Sequence, residues 1–311
     1  MTLRKRKKLR INTKNKHYAI DQCHLYKCCS KKKLLELLGL DACNLKEILN
    51  DQHRYRVFHR FDPLKNKTRE IQEPQQRLGV VHNRIASLLS RVAQPDYVHS
   101  GIKGRSNISN AAAHQYSDKV VTMDIETFFP STTRSQIEDF FFNNLLCSPD
   151  VAKILATLCS FDDHLPTGSQ LSMPLAFWAN ANMFNELNFA AQKKGILMTL
   201  YVDDVTFSGR SADKGFSSNA SLIVARNGHR VNPRKTRHYT KTQPKLITGV
   251  IVDNGQLKVR NMHHKRIHET YVEFRNGSDT DRVVLKTSLK GRMNAAAGID
   301  PKFKTWAKTI S

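Results

Sequence analysis

Leu197-Met198-Thr199-Leu200-Tyr201-Val202-Asp203-Asp204-Val205-Thr206-Phe207-Ser208 decides how the rest of the chain is read. Apolar and β-branched residues approach from both sides and stop at two adjacent carboxylates. The pattern predicts two strands of a hairpin with Asp203 and Asp204 at the turn. Two like charges this close, among residues this apolar, are costly unless a cation neutralises them. Hard carboxylate oxygens suit Mg²⁺, which takes one or two carboxylates together with substrate phosphates. The plainer alternative is a solvated turn, because aspartate is a common turn residue.

A second stretch, residues 120–131, reads Val-Val-Thr-Met-Asp-Ile-Glu-Thr-Phe-Phe-Pro-Ser. An apolar strand delivers Asp124 at its end, a common way to present a metal ligand. Phe129 follows five residues later, where a bulky ring can pack beside a substrate. The alternative makes Phe128 and Phe129 core residues and Asp124 a cap for a helix starting near Thr132 or Thr133.

Between these stretches the pattern predicts helix over about residues 134–159, interrupted at Ser148-Pro149. A Pro/Gly/Ser loop, Leu165-Pro166-Thr167-Gly168-Ser169-Gln170-Leu171-Ser172-Met173-Pro174, then leads into a helix carrying Leu175 to Leu187. Gly168 lets backbone approach a ligand closely. Upstream, residues 101–108 form a Gly-rich polar loop. Asn110 is placed to cap the next helix, with His114 one turn on; taken alone, such a histidine is more often a packed or exposed helix residue than a binding one. Residues 55–61 and 68–72 alternate as two strands around the Lys65-Asn66-Lys67 turn. Lys67 and Arg69 on this basic hairpin are candidates to grip a triphosphate or a template backbone, or are simply solvated charges. A helix is expected over 75–93. Nearer the N-terminus, Ser30 caps a leucine-rich helix ending near Gly39, and a second helix runs from about Asn44. Residues 1 to about 30 read as a basic, Cys-containing arm.

Downstream, residues 219–227 read as helix and 228–236 as a basic turn containing Lys235. Residues 246–252 read as one strand, and Asp253-Asn254-Gly255 as a tight turn. The last 56 residues carry twelve Lys/Arg against five Asp/Glu and read as mostly helical.

The chain has 311 residues, enough for one large domain or two to three subdomains with ample core, and a net charge of +23. Such an excess favours a polyanionic partner, and nucleic acid is the usual one. No long apolar segment or signal-peptide core is visible, so a membrane partner is not expected. Cys23, Cys28, Cys29 and Cys43 crowd the N-terminal region beside His24, without the paired Cys-x-x-Cys spacing of a zinc site. Reduced thiols and a cytoplasmic location are the expectation.

The order of these features resembles the fingers and palm of a reverse transcriptase over about residues 55–255. Tyr201-Val202-Asp203-Asp204 matches that family's third palm motif, and residues 120–131 match its first. Within the family the chain is similar to bacterial retron reverse transcriptases. Asn110-Ala111-Ala112-Ala113-His114 matches their Asn-Ala-x-x-His element, and Ile247-Thr248-Gly249 stands where they usually have Val-Thr-Gly. Two departures stand out: the nucleotide loop has Thr167 for the usual glutamine and Gln170 for a proline, and the catalytic box has Val202 where retrons more often have alanine.

The resemblance implies an α+β right-hand polymerase. Residues 1–50 would be a basic helical extension, 51–245 fingers and palm, and 246–311 a mostly helical thumb binding an RNA stem-loop. It implies two-metal nucleotidyl transfer with Mg²⁺, Mn²⁺ being a possible substitute. Asp124, Asp203 and Asp204 would be catalytic and hold the metals, with the Ile125 carbonyl as a further ligand. Lys67, Arg69, Phe129, Thr167, Gly168 and Lys235 would bind the nucleotide. Phe129 would exclude a 2′-hydroxyl, and Lys235 would donate a proton to pyrophosphate or bind phosphate. Asn110, His114, Lys258, Arg260, Lys265 and Arg266 would bind RNA. Retrons copy part of their own noncoding RNA, priming from the 2′-hydroxyl of an internal guanosine to give branched RNA–DNA (msDNA), and serve in anti-phage defence with an effector protein. The alternatives are a group II intron-like or diversity-generating reverse transcriptase, or a non-catalytic RNA-binding scaffold.

Overall fold

The computed structural model describes residues 17–62 and 66–310. In chain order the elements are α1 (Lys31–Leu38), α2 (Ala42–Asn50), β1 (Tyr55–Asp62), β2 (Lys67–Pro74), α3 (Gln76–Leu89), α4 (Asn107–Ala112), β3 (Val120–Asp124), α5 (Phe128–Ser131), α6 (Arg134–Asp139), α7 (Pro149–Cys159), α8 (Ser172–Ala179), α9 (Ala181–Gln192), β4 (Leu197–Tyr201), β5 (Asp204–Ser208), α10 (Lys214–Arg226), β6 (Arg237–Tyr239), β7 (Lys245–Ile247), β8 (Val250–Asp253), β9 (Gln256–Val259), α11 (Asn261–Asn276), α12 (Asp279–Ala297) and α13 (Lys302–Thr309). The fold class is α+β. No helix among the described residues is long and apolar enough to cross a membrane. The basic residues up to position 16, and Lys65, lie outside the described residues.

The chain divides into two compact units, each discontinuous in sequence. One comprises 1–95, 126–186 and 223–230. Its helices form as their local chemistry dictates. The Ser30 side chain accepts from Lys33 N at 3.2 Å to start α1, and Asp41 accepts from Asn44 N at 2.7 Å to start α2. Leu34, Leu37 and Leu38 are buried along α1, each contributing on the order of 2 kcal/mol by leaving water. β1 and β2 pair antiparallel, Tyr55 opposite Pro74 through Asp62 opposite Lys67. The core of this unit includes Leu78, Val81, Ile85 and Leu88 of α3, Leu155 of α7, and Phe140, Phe141 and Phe184, all 2% exposed or less.

The other unit comprises 96–125, 187–222 and 231–311. Its four-stranded antiparallel sheet runs β4-β5-β3-β6, and a three-stranded meander runs β7-β8-β9. The C-terminal helices carry their own core, built on Ile267, Leu289, Met293 and Phe303.

Several local expectations change. The strand expected over 246–252 is broken into β7 and β8. Thr248 (φ 44°) and Gly249 (φ 85°) both take left-handed backbone, a two-residue turn that suits the twist of a hairpin. Asp204 is the first residue of β5, not a turn residue; the turn is Val202-Asp203. The helix expected from Leu175 through Leu187 is broken at Asn180, the C-cap of α8. Helix α10 begins at Lys214, earlier than expected. Ser106 caps α4, where it accepts from Ser109 N while Ser109 Oγ accepts from Ser106 N, a reciprocal capping box. Asn110, expected as the cap, lies inside the helix and is fully buried.

Candidate active site

The carboxylates converge through strand register. In the four-stranded sheet Asp124, the last residue of β3, stands directly opposite Asp204, the first of β5. Cross-strand neighbours have Cβ atoms about 5 Å apart, so the two side chains share one end of the sheet. The Ile125 amide donates to the Asp203 carbonyl at 3.0 Å, continuing the pairing one residue beyond the strand. The turn that sets this register is strained: Val202, β-branched, sits at φ 61°, a conformation that persists only when its surroundings impose it. They do so here. Val202 N donates to Ser100 Oγ at 3.0 Å, and on the preceding residues Leu200 N donates to Tyr97 O at 2.7 Å while its carbonyl accepts from His99 N at 2.8 Å.

Lys235 is delivered to the same place by the basic turn. The Asp124 carbonyl accepts from Asn232 N at 2.8 Å, and Lys235 N donates to Asn232 O at 3.1 Å. The Lys235 ammonium then lies 2.6 Å from Asp124 Oδ1. Asp124 is only 8% exposed, so this charge-assisted bond offsets a desolvated carboxylate. Among the described residues no group of three His, Cys, Asp or Glu side chains is arranged as a metal cage. The donors present still fit Mg²⁺: they are hard carboxylate oxygens, one already facing a cation, and Mg²⁺ characteristically leaves the remaining positions to water and phosphate.

Asn110 and His114 also lie in this unit, and both are 0% exposed. Direct RNA contact, expected of them from the sequence, is therefore corrected: neither side chain reaches the surface. His114 bonds Ser208 Oγ of β5 at 2.6 Å and Thr199 Oγ1 of β4 at 2.7 Å, tying together the two strands that carry the aspartate turn. Asn110 Nδ2 donates to Thr248 Oγ1 at 3.5 Å, and Asn107 Nδ2 to the Thr248 carbonyl at 3.1 Å. Helix α4 thus bridges the aspartate-bearing sheet and the three-stranded meander. Of the other basic candidates, Lys258 pairs with Asp253 at 2.7 Å, Lys265 pairs with Glu269 one turn on at 3.7 Å, and Arg260 is the N-cap residue of α11, to which Arg266 also belongs.

The remaining sequence candidates lie in the first unit. On the β1–β2 hairpin Arg69 stands directly opposite Arg60, both exposed, and Lys67 is exposed near the turn. Like charges directly opposite destabilise a hairpin, whereas Lys67 stands opposite Asp62. Thr167 is committed to the same hairpin: its hydroxyl donates to Glu70 O at 2.8 Å and its amide to Gln72 Oε1 at 3.1 Å. The close approach at Gly168 is to the chain itself, since an added Cβ would lie 2.6 Å from Gln72 O and 2.8 Å from Gln72 C. Both are backbone atoms and cannot give way. Gly168→Ala is therefore expected to push the loop off β2 and to lower unfolding free energy by about 2 kcal/mol, measured by urea denaturation; an unchanged midpoint would contradict this packing. His82 braces the loop from behind, with Nε2 donating to Leu158 O at 2.7 Å and Nδ1 accepting from Ser169 Oγ at 2.6 Å. Phe129 is partly exposed on the short helix α5.

Three buried histidines, absent from the sequence candidates or misread there, share one electrostatic property. Burial lowers the pKa of His82 to about 4, of His229 to about 4 and of His114 to about 3. Each is neutral when folded and protonates near 6.5 when unfolded. Between those values the unfolded chain binds more protons, so stability is complete above about pH 6.5 and falls as pH drops below it. The expected slope is about 1 kcal/mol per pH unit for each histidine, measured by chemical denaturation between pH 7.5 and 5. A flat profile would contradict this burial.

By sequence the chain is similar to reverse transcriptases. Among the matched proteins are those of retrons: the retron Se72 reverse transcriptase of Salmonella heidelberg is 28% identical over 255 residues, covering 76% of this chain and 65% of that protein. The retron Ec86 reverse transcriptase of Escherichia coli is 24% identical over 223 residues, covering 69% and 68%, and the retron Ec48 enzyme of Escherichia coli is 27% identical over 176 residues, covering 55% and 43%. The chain thus spans from under half to about two thirds of the length of these relatives. A foamy viral protease–reverse transcriptase solved with double-stranded DNA aligns with 94% of this chain and 46% of its own, at 12% identity and a TM-score of 0.48. No family model matches the chain.

Proposed function

We propose that the chain is a retron-type RNA-directed DNA polymerase. The observation that carries this reading is the register that sets Asp124 opposite Asp204, beside Asp203 and the Lys235 ammonium. Similarity to retron reverse transcriptases over 76% of the chain supports it, as does the net charge of +23, which suits an RNA template.

In this reading Asp124, Asp203 and Asp204, with the Ile125 carbonyl, hold Mg²⁺ or Mn²⁺. An ion held there would supply a lowered pKa for the primer hydroxyl and charge neutralisation for the triphosphate. The chain's own residues orient the reactants. Lys67 and Arg69 hold phosphate oxygens by charge-assisted bonds. The Lys235 ammonium exchanges its bond to Asp124 for one to a phosphate, as binding charge or proton donor. Thr167 and Gly168 keep the nucleotide loop seated on β2. Phe129 lies under the sugar and excludes a 2′-hydroxyl. Lys258, Arg260, Lys265 and Arg266 contact the phosphates of an RNA stem-loop, recognised by shape more than by sequence. Priming from a guanosine 2′-hydroxyl, a branched msDNA product, a cytoplasmic location and anti-phage action with an effector protein belong to the same reading.

The test is the nucleic acid that co-purifies with the chain expressed from its own locus, analysed with and without RNase and debranching enzyme. DNA joined to RNA through a 2′–5′ linkage is the expected result. Linear cDNA would move the chain to another reverse-transcriptase class, such as a group II intron-like or diversity-generating one. RNA alone would favour the non-catalytic scaffold.

A further inference from the structure

The polymerase reading leaves unexplained a fully hydrogen-bonded polar cluster beneath α5, wholly within the first unit. His229 is 2% exposed and Asn180 3% exposed. His229 Nε2 donates to Asn180 Oδ1 at 2.6 Å, and Nδ1 accepts from the Ser131 hydroxyl at 2.8 Å. Asn180 Nδ2 donates in turn to Thr132 Oγ1 at 3.0 Å, and the Thr132 hydroxyl donates to Phe128 O at 2.9 Å. The chain of bonds leaves the last residue of α5, passes through His229 and Asn180, and returns to the first. The His229 ring also packs on Phe128 at 5.6 Å between centroids, and Phe128 meets Phe184 edge-on at 5.8 Å.

A helix of four residues does not hold itself together in water, because nucleation is unfavourable. Here its entry is strained as well: Thr127, β-branched, sits at φ 47°. Something outside α5 must hold it, and the buried cluster is placed to do so. Asn180 stands at the break between α8 and α9, as the C-cap of α8.

We propose that His229 and Asn180 are positioning residues that clamp α5 and so fix the Phe129 ring, setting discrimination between deoxyribo- and ribonucleotides. This rests on the polymerase reading. Neither residue touches the nucleotide; they act through the orientation of Phe129, the next residue after the anchored Phe128. Displacing a positioned group by a fraction of an ångström to an ångström carries large kinetic cost.

The experiment measures kcat/KM for a dNTP and the matching rNTP on a primed RNA template. The full chain is compared with His229→Leu, Ser131→Ala and Phe129→Ala, with thermal melting of each. Expected is a fall in the dNTP:rNTP ratio of roughly tenfold in His229→Leu, partly restored in His229→Gln, which retains one bond. Ser131→Ala, which removes the bond to His229 and little volume, carries the test if His229→Leu does not fold, and should lower the ratio by about threefold. An unchanged ratio in folded variants, with a lowered ratio in Phe129→Ala, would overturn the clamp alone. An unchanged ratio in Phe129→Ala would overturn the assignment of the sugar gate, and failure of the unmodified chain to incorporate nucleotides would overturn the polymerase reading and this proposal with it.

Discussion

Primer extension by the Asp203→Asn, Asp204→Asn double variant is expected to fall by at least about 10³-fold, while RNA binding persists. Asparagine is nearly isosteric with aspartate, and bonds from neighbouring main-chain amides help to shape the turn. Ile125 N still donates to the Asp203 carbonyl and Val202 N to Ser100 Oγ, so the hairpin retains its form. What is lost is negative charge, the property that holds a divalent cation. The chain becomes more basic by two charges from +23, so affinity for RNA phosphates is not weakened. Extension assays and a binding titration on one preparation separate the two effects. Synthesis within tenfold of the unmodified chain would remove these carboxylates from the chemistry; loss of RNA binding together with synthesis would point to a collapsed hairpin.

The second large effect concerns His114. His114→Ala is expected to lower unfolding free energy by about 3 kcal/mol, because it opens a cavity, removes the bond to the Thr199 hydroxyl and leaves the Ser208 hydroxyl with only the bond it accepts from Ser117. Both nitrogens of His114 are satisfied at 2.6 and 2.7 Å by hydroxyls on adjacent strands. The RNA affinity of the folded fraction should not change, because the residue is 0% exposed. Urea denaturation gives the first quantity, and RNA titration under conditions where the variant is folded gives the second. A tenfold loss of RNA affinity at unchanged stability would restore the direct contact that its burial argues against. Asn110→Ala should follow the same pattern with a smaller loss, since its bond to Thr248 is long at 3.5 Å.

The local pattern of residues determined a good deal. Runs of apolar and β-branched residues on either side of Asp203-Asp204 specified β4 and β5, because strands buried on both faces read as near-continuous apolar stretches. Ser30 and Gly39 marked the ends of α1 because capping is a matter of a few adjacent residues. Asn254-Gly255 specified the β8–β9 turn for the same reason. Each of these depends on neighbours within a few positions, so the information is in the sequence itself. Where a second local signal competed, the reading slipped: Ser106 outranked Asn110 as a cap because its partner Ser109 closes a capping box, and Thr248-Gly249 divided what alternation alone presented as one strand.

Only tertiary structure decided what the polar side chains do. A histidine in a helix looks the same in sequence whether it faces RNA or a core; His114 is a core residue because Thr199 and Ser208, distant in the chain, stand at its two nitrogens. Gly168 reads as a place for a ligand, yet its missing Cβ is filled by the backbone of Gln72. His229 and Asn180 carried no sequence signal at all, since their meaning lies in a hydrogen-bonded circuit with Ser131 and Thr132 that closes only on folding. The facing of Asp124 and Asp204 likewise depends on strand register. Secondary structure is set by short-range sterics and capping, whereas the desolvation and partnering of a polar group are set by residues the chain brings back from far away.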